Sequence, residues 1–235
     1  MNEQTSQIFP RRTNIDVLVE NLSLEGLKVL DIGCGNGALV RALAKRGAAA
    51  TGLDPSENEV EKARAEDSVR DESYMTGGAE ALPFPDDGFD AAVFFNSLHH
   101  IPAELMADAL KEAARVVKTE GLIYIAEPLA QGPHFRAMLP VEDETVVRAQ
   151  AYDALRAFTA SQYAHELREI VYEAPVLYPD FEAFKNKIVA ADEKRQARVE
   201  QAEADLKAAF EGYAEHEEGQ YLFTQPMRVN LLQVD

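Results

Sequence analysis

An acidic residue and three closely spaced glycines follow one short apolar segment near the beginning of the chain. The segment 29–37 places Asp31 after Val29 and Leu30, and it then has glycine at 33, 35 and 37. Glycines allow a backbone to approach a ligand closely because no side chain intervenes. A carboxylate beside such a turn would favour a cationic group. The pattern therefore predicts a cofactor-binding turn formed largely by backbone groups.

Four more residues that could do chemistry follow other apolar segments, namely Asp54, His99, His100 and Glu127. A carboxylate such as Asp54 suits a pair of ribose hydroxyls. Either histidine could orient a substrate or act as a general base, and Glu127 could bind a substrate hydroxyl or amine. The alternative for His99, His100 and Glu127 is a structural hydrogen bond or packing role.

Strands and helices must bring these residues together. In the first half of the chain, segments that predict strands alternate with segments that predict helices. Apolar segments at 28–32, 48–53, 74–76, 91–95 and 122–126 predict strands, and the segments 38–46, 56–66 and 103–117 predict helices. Alternation of this kind predicts an α/β fold, doubly wound around a mostly parallel sheet. Ligands bind outside the carboxyl ends of such strands, and the candidate residues all fall at that edge.

The second half of the chain has a different character. After Pro128 the pattern predicts helices over 142–158, 161–170, 180–190 and 192–211, and then strands at 221–223 and 227–234 around Pro226. We therefore predict an α/β core over 1–128, a helical lid or substrate insertion over 129–211, and terminal strands over 212–235 that complete the sheet, the last one antiparallel. The insertion offers apolar and aromatic lining from Phe135, Met138, Tyr152, Phe158, Tyr163 and Tyr172.

Composition excludes several classes of function. The 235 residues carry a formal net charge of -18, which disfavours nucleic acid and anionic membrane surfaces because both need clustered Lys and Arg. No apolar run approaches the ~20 residues of a membrane span, and a cytoplasmic protein is expected. The single cysteine, Cys34, excludes an internal disulfide and a Cys-rich site, and we predict no metal.

The glycine turn alone is compatible with two cofactors. The residues 33–38 satisfy the G-x-G-x-x-A pattern of dinucleotide-binding sheets. A pyrophosphate there would meet the like charge of Asp31, whereas a ligand with an amino group and a sulfonium would gain from it. The residues therefore favour S-adenosylmethionine over NAD.

The order of motifs also resembles a known family. The segments 29–37, 52–56, 78–90, 96–100 and 114–121 are similar to successive motifs of the class I S-adenosylmethionine-dependent methyltransferases. Within them, the chain is most similar to the small-molecule branch typified by the ubiquinone/menaquinone C-methyltransferases. The resemblance covers roughly the first half of the chain and implies a Rossmann-like sheet.

The resemblance implies a role for each matching residue. Gly33, Cys34, Gly35 and Gly37 would line the methionine part through backbone groups, Asp31 would hold the amino end, and Asp54 would accept both ribose hydroxyls. Pro55, Ser56, Ala79 and Glu80 would border the adenine, and Asn96 would contribute backbone contacts beside the reacting methyl. Cys34 itself is expected to pack rather than to act as a nucleophile. Gly78 departs from the family, which often has Asp there to pair with the adenine amino group.

Three hypotheses follow. The first is methyl transfer from S-adenosylmethionine to a small-molecule acceptor, leaving S-adenosylhomocysteine, with His100, His99 and Glu127 as candidate catalytic residues. The second is an NAD(P)-dependent oxidoreductase. The third is a non-catalytic cofactor-binding assembly protein whose helical insertion forms a homodimer surface. The acceptor, the choice of O-, N- or C-methylation and the oligomeric state stay open.

Overall fold

The chain folds into two compact units. The computed structural model describes residues 9–191 and 195–235, and the side chains of 190 and 191 are outside that description. One unit contains Val17–Glu127, Val147–Ile170 and Arg228–Asp235, and the other contains the described residues up to Asp16, Pro128–Val146 and Val171–Met227. We call them the motif unit and the aromatic unit.

The predicted alternation of strands and helices is confirmed in the motif unit. In chain order the elements are α1 (Asn14–Asn21), β1 (Lys28–Ile32), α2 (Ala38–Ala44), β2 (Ala49–Asp54), α3 (Glu57–Ala65), β3 (Ser73–Thr76), β4 (Phe89–Phe95), a 3-10 turn (Leu98–His100), α4 (Ala103–Val116) and β5 (Val117–Pro128). The later elements are α5 (Gly132–Met138), α6 (Thr145–Thr159), β6 (Ala164–Tyr178), α7 (Phe181–Ala191), α8 (Gln196–Tyr213), β7 (Glu215–Glu217) and β8 (Gln220–Val234).

The strands form one eight-stranded sheet with the order β3-β2-β1-β4-β5-β8-β6, and β7 pairs with β8. The pairs β2–β3, β1–β2, β1–β4 and β4–β5 are parallel. The end of β8 lies beside the beginning of β5, because the side chain of Gln233 donates to the carbonyl of Glu120. The last strand therefore runs opposite to β5, as predicted.

The central strands are buried on both faces. Leu30 and Ile32 of β1 pack in a cluster with α4 and α6, while the alternate residue Val29 is also fully buried. A parallel strand that is apolar on both faces needs cover on each side, and this explains why its sequence is a continuous apolar run. Such burial fixes the carboxyl ends of the strands, where the candidate residues lie.

The predicted helix over 161–170 and the absence of strands between 129 and 211 are wrong. These residues lie largely in β6, a 15-residue strand at the edge of the sheet. The charged run after Ala164 has little strand character of its own, so pairing within the sheet decides its conformation. Pro175 is tolerated because an edge strand needs fewer ladder hydrogen bonds.

The two predicted terminal strands are one continuous strand, β8. Pro226 cannot donate to the ladder, but its carbonyl accepts the N–H of Leu129 at 2.8 Å and the side-chain amide of Gln225 at 2.9 Å. The Gln225 amide also donates to the carbonyl of Leu129 at 2.9 Å. The side chain of Gln225 therefore supplies hydrogen bonds at the irregular point, and the strand continues.

The aromatic unit has a core of its own. Phe184, Phe210 and Phe223 are almost fully buried, and the ring centroids of Phe210 lie 5.1 Å from Phe184 and 5.3 Å from Phe223. Tyr178 joins them and its hydroxyl lies 3.0 Å from Nε2 of His134. Among the helices that the structure describes, none is both long and apolar enough to cross a membrane.

Candidate cofactor-binding site

The glycine turn after β1 adopts a conformation that L side chains rarely enter. Gly33, Gly35 and Gly37 have φ angles of 80°, 51° and 75°. The N–H groups of Gly33 and Cys34 both donate to the carbonyl of Leu53, at 2.8 and 3.0 Å. The turn is thereby bound to the end of β2, and glycine avoids the left-handed strain at all three positions.

The three glycines differ in what surrounds them. A Cβ at Gly33 would lie 2.5 Å from Cβ of Ser97, and one at Gly37 would lie 2.5 Å from the ring of Tyr74. At Gly35 the nearest atom would be a carboxylate oxygen of Glu59, 3.9 Å away. Gly33 and Gly37 are thus required by packing within the protein, and only Gly35 leaves open space for a ligand.

Asp31 is a buried carboxylate at the foot of this turn. It is 2 % exposed, and its side chain accepts no hydrogen bond from any residue that the structure describes. Burial, followed by the nearby charge of Asp54, raises the pKa of Asp31 to about 7. A cationic ligand group beside Asp31 would offset both the cost of burying its charge and the repulsion from Asp54.

Asp54, at the end of β2, binds the glycine turn and the start of α3 through its carboxylate. Its Oδ2 accepts the N–H of Gly35 at 2.8 Å, and its Oδ1 accepts the N–H of Ser56 at 2.9 Å. Ser56 in turn accepts the N–H of Glu59 at 3.4 Å and caps α3. Each carboxylate oxygen of Asp54 can accept a further hydrogen bond, so a pair of hydroxyls could still bind.

Ala79 and Glu80 lie in the loop between β3 and β4. Ala79 is 9 % exposed, whereas Pro55 and Glu80 are exposed and Ser56 is half-buried. The Glu80 carboxylate folds back over Gly78 and fills the space in which a side chain at position 78 would begin. A carboxylate is therefore present where the resembled family often has aspartate, but a different residue supplies it.

Glu127 joins the ends of β4 and β5. One of its oxygens accepts the N–H groups of Ser97 and Leu98, at 3.2 and 3.0 Å, and the other contacts Nδ1 of His99. Ser97 donates its hydroxyl to the carbonyl of Ile32 at 2.6 Å, which ties the same loop to β1. Glu127, His99 and Ser97 are all buried. Sequence reasoning missed Ser97, since its role depends on a backbone group 65 residues away.

His100 and Asn96 are the exposed members of this loop. The ring of His100 lies 4.1 Å from that of His99, centroid to centroid. Asn96 has a φ of 53° and donates its N–H to the carbonyl of Ala126 at 2.8 Å. The structure thus places His99 and Glu127 in a buried hydrogen-bonded pair and leaves His100 accessible from solvent.

Cys34 packs within the turn. It is 8 % exposed, and a Cβ at Gly52 would lie 2.7 Å from its sulfur. Burial, with the charges of Asp31 and Asp54, raises the pKa of the Cys34 thiol well above its usual range. The thiol is therefore protonated at neutral pH, which does not suit a nucleophile.

Comparison with known proteins finds relatives of the first half of the chain. Residues 30–125 match the family model described as a methyltransferase domain. The ubiquinone biosynthesis O-methyltransferase of Stutzerimonas stutzeri (strain A1501) is 37% identical over 125 residues, covering 51% of each chain. The chain therefore spans about half the length of the curated relatives it matches.

Two solved structures share the fold over most of the chain. The YcgJ protein from Bacillus subtilis has a TM-score of 0.60 at 21% identity, covering 94% of this chain and 97% of that one. The [4+2]-cyclase SpnF has a TM-score of 0.61 at 22% identity, covering 93% and 79%. At these identities the likeness shows the fold alone, and the fold does not by itself fix the reaction.

Residues 30–125 are therefore similar to a methyltransferase domain, and this similarity agrees with the resemblance that the order of motifs indicates.

Proposed function

We propose that this chain transfers a methyl group from S-adenosylmethionine to a small-molecule acceptor. The observation that carries the proposal is the buried carboxylate of Asp31, which has no hydrogen-bond partner among the described residues and lies near Asp54, the residue that binds the N–H of Gly35. An amino group or a sulfonium would neutralise this carboxylate. A pyrophosphate would add a like charge, which disfavours the NAD hypothesis.

The residues that would hold the cofactor come from the ends of four strands at one edge of the sheet. Backbone at Gly33, Cys34, Gly35 and Gly37 would line the methionine part, Asp31 would bind the amino group and Asp54 the ribose hydroxyls. Pro55, Ser56, Ala79 and Glu80 would border the adenine, and Asn96 would lie beside the methyl. The half-buried carboxylate of Asp54, held by two backbone N–H groups, fits the ribose role.

S-adenosylmethionine supplies an activated methyl group with a neutral leaving group when it is bound. The protein therefore needs mainly to align the acceptor atom in line with the methyl and to exclude water. We assign His100, which is exposed in the 3-10 turn after β4, as the candidate that would orient or deprotonate an acceptor. His99 and Glu127 would act through the loop geometry that they stabilise.

The acceptor is assigned only by class. The curated relative's name concerns an O-methyltransferase, which suits an acceptor with a hydroxyl group, and the acidic net charge of -18 disfavours nucleic acid. We retain the prediction that residues 129–211 select the acceptor. The homodimer and the absence of a metal also stay predictions.

A turnover experiment tests this proposal. The protein is incubated with methyl-labelled S-adenosylmethionine and a library of phenols, carboxylic acids and amines, and labelled products are separated. We expect label in at least one acceptor and none with Asp54→Ala. Cofactor binding without transfer to any acceptor would instead support the non-catalytic assembly protein.

A further inference from the structure

One arginine of the motif unit has a fixed side chain and free donors. Arg228 stands in β8, and its guanidinium carbon lies 3.4 Å from the centroid of the Tyr152 ring on α6. Its Nε donates to Oδ1 of Asn230 at 3.3 Å. One face and one nitrogen of the guanidinium are thereby fixed, because stacking and a hydrogen bond act on it together.

The carboxylates near this arginine are engaged elsewhere. Asn230, which is 1 % exposed, donates its amide to Glu166 at 2.8 Å and to Glu169 at 3.0 Å. Glu169 also accepts the hydroxyl of Tyr152 at 3.0 Å. Within the described residues, Arg228 has no carboxylate partner within 4.0 Å. The acidic groups of the network thus support the scaffold rather than pair with the guanidinium.

The terminal nitrogens of Arg228 are available to bind a ligand. Neither Nη1 nor Nη2 has a hydrogen-bond partner among the residues that the structure describes. The side chain is half-buried, and burial lowers the pKa of Arg228. A half-buried guanidinium with two free parallel donors is suited to bidentate binding of a carboxylate.

Arg228 lies close to the candidate site. Burial is the main influence on its pKa, and the charges that oppose it include Glu127, together with Glu166 and Glu169. Glu127 ends β5 and contacts His99 in the loop before His100. The N–H of Leu129 donates to the carbonyl of Pro226 at 2.8 Å, and β8 runs antiparallel to β5, so Arg228 lies beside the end of β5 where Glu127 stands.

We propose that Arg228 binds a carboxylate group of the methyl acceptor, with Tyr152 and Asn230 as positioning residues. This inference rests on the proposed function, and it narrows the acceptor to molecules that carry an anionic carboxylate. Tyr152 stacks on the guanidinium and Asn230 fixes Nε, so the terminal edge is presented in one orientation.

The inference is tested with a matched pair of probes, benzoate and benzamide, which differ in the charged group. Binding of each is measured calorimetrically with S-adenosylhomocysteine present, for the full chain and for Arg228→Gln, Arg228→Lys and Arg168→Gln. Arg168 is an exposed arginine of β6 that donates to Asn21, and its replacement removes the same charge. Binding of S-adenosylhomocysteine alone is measured first for every protein.

We expect benzoate to bind the unmodified protein at least tenfold more tightly than benzamide. R228Q should abolish this preference, R228K should retain only part of it because lysine lacks the planar fork, and R168Q should keep it. Equal binding of the two probes, or a preference that survives in both Arg228 variants, would overturn the inference while cofactor binding is intact. If R228Q fails to fold, R228K decides the outcome. Failure of the unmodified protein to bind S-adenosylhomocysteine would overturn the proposed function and this inference with it.

Discussion

The environment of Asp31 makes its carboxylate costly to ionise. It is buried, it lies near the charge of Asp54, and its pKa is raised to about 7. Sequence patterns located Asp31, Asp54 and the glycines because these follow apolar segments in a recognisable order. They could not reveal that Ser97 and Tyr74 occupy the space beside Gly33 and Gly37, since both partners are far from the turn in the sequence.

The affinity for S-adenosylhomocysteine should depend on pH through Asp31. The ligand's amino group is cationic and favours the ionised carboxylate, so affinity should be constant above pH 7. Below about pH 7 it should fall by up to about tenfold per pH unit, because binding then requires loss of a proton. Calorimetric titrations between pH 5.5 and 8.5 measure this. An affinity that stays level across the range would contradict the assignment of Asp31 to the amino group.

Asp31→Asn should remove a pH dependence of stability in the ligand-free protein. The folded pKa of about 7 exceeds the ordinary 3.8, so the folded state binds more protons between those values. Stability from this group should therefore be greatest below about pH 4 and should decline as the pH rises to 7. Urea unfolding of both proteins at pH 5 and 8 checks this. The Asn variant should lose less stability than the parent over this interval.

Gly33→Ala should be more damaging than Gly26→Ala. The two glycines have nearly equal φ angles, 80° and 78°, but a Cβ at Gly26 meets nothing within 4 Å. The Gly26 variant should lose about 1–2 kcal/mol from backbone strain alone. The Gly33 variant should lose a further ~1–3 kcal/mol from the clash with Ser97, measured by chemical denaturation. Equal losses would show that packing does not explain Gly33.

At the scale of elements, local sequence patterns predicted the strands and helices correctly where the two alternate along the chain. They failed in the second half, where part of β6 was predicted as a helix. The prediction for β1 is confirmed residue for residue, because a continuous apolar run ends at the glycine turn. The charged residues Glu166, Arg168 and Glu169 of β6 could face solvent equally well in a helix or in an edge strand. Only pairing with β8 selects the strand, and no local pattern records that partner.

Glu127→Gln and Glu127→Ala should separate the charge of this residue from its hydrogen bonds. Gln can keep one acceptor for the N–H groups of Ser97 and Leu98, whereas Ala leaves both buried donors unsatisfied. We expect Ala to cost roughly 2–5 kcal/mol and Gln less than half as much. Exposed Glu80 offers a control, and Glu80→Ala should change stability by less than about 0.5 kcal/mol. Equal stability of the two Glu127 variants would contradict the bridging role.

The whole molecule combines a sheet edge carrying the motifs with a second, aromatic core. Sequence patterns predicted a helical insertion after Pro128, beyond the α/β core, and the two compact units of the structure have other bounds. Those patterns could not predict that the aromatic unit contains part of two long strands rather than helices alone. The proposal for the acceptor class also rests on side chains far apart in the sequence, namely Tyr152 and Arg228.

Phe210→Ala should destabilise the aromatic unit strongly. Phe210 is 1 % exposed and packs against Phe184 and Phe223, so its loss should cost about 3–5 kcal/mol. Tyr213 stands on the same helix but is 42 % exposed, and Tyr213→Ala should cost about 0.5 kcal/mol or less. Thermal and urea unfolding provide the comparison. Similar losses in the two variants would contradict the assignment of a core at Phe210.

The most direct test of the central claim is calorimetric binding of S-adenosylhomocysteine and NADH to the same protein. The account predicts one site for S-adenosylhomocysteine and no comparable binding of NADH. Asp54→Ala should abolish the binding, while Asp205→Ala, which removes an exposed carboxylate of α8, should leave it unchanged. Tighter binding of NADH, or unaltered affinity in the Asp54 variant, would contradict the proposed cofactor site.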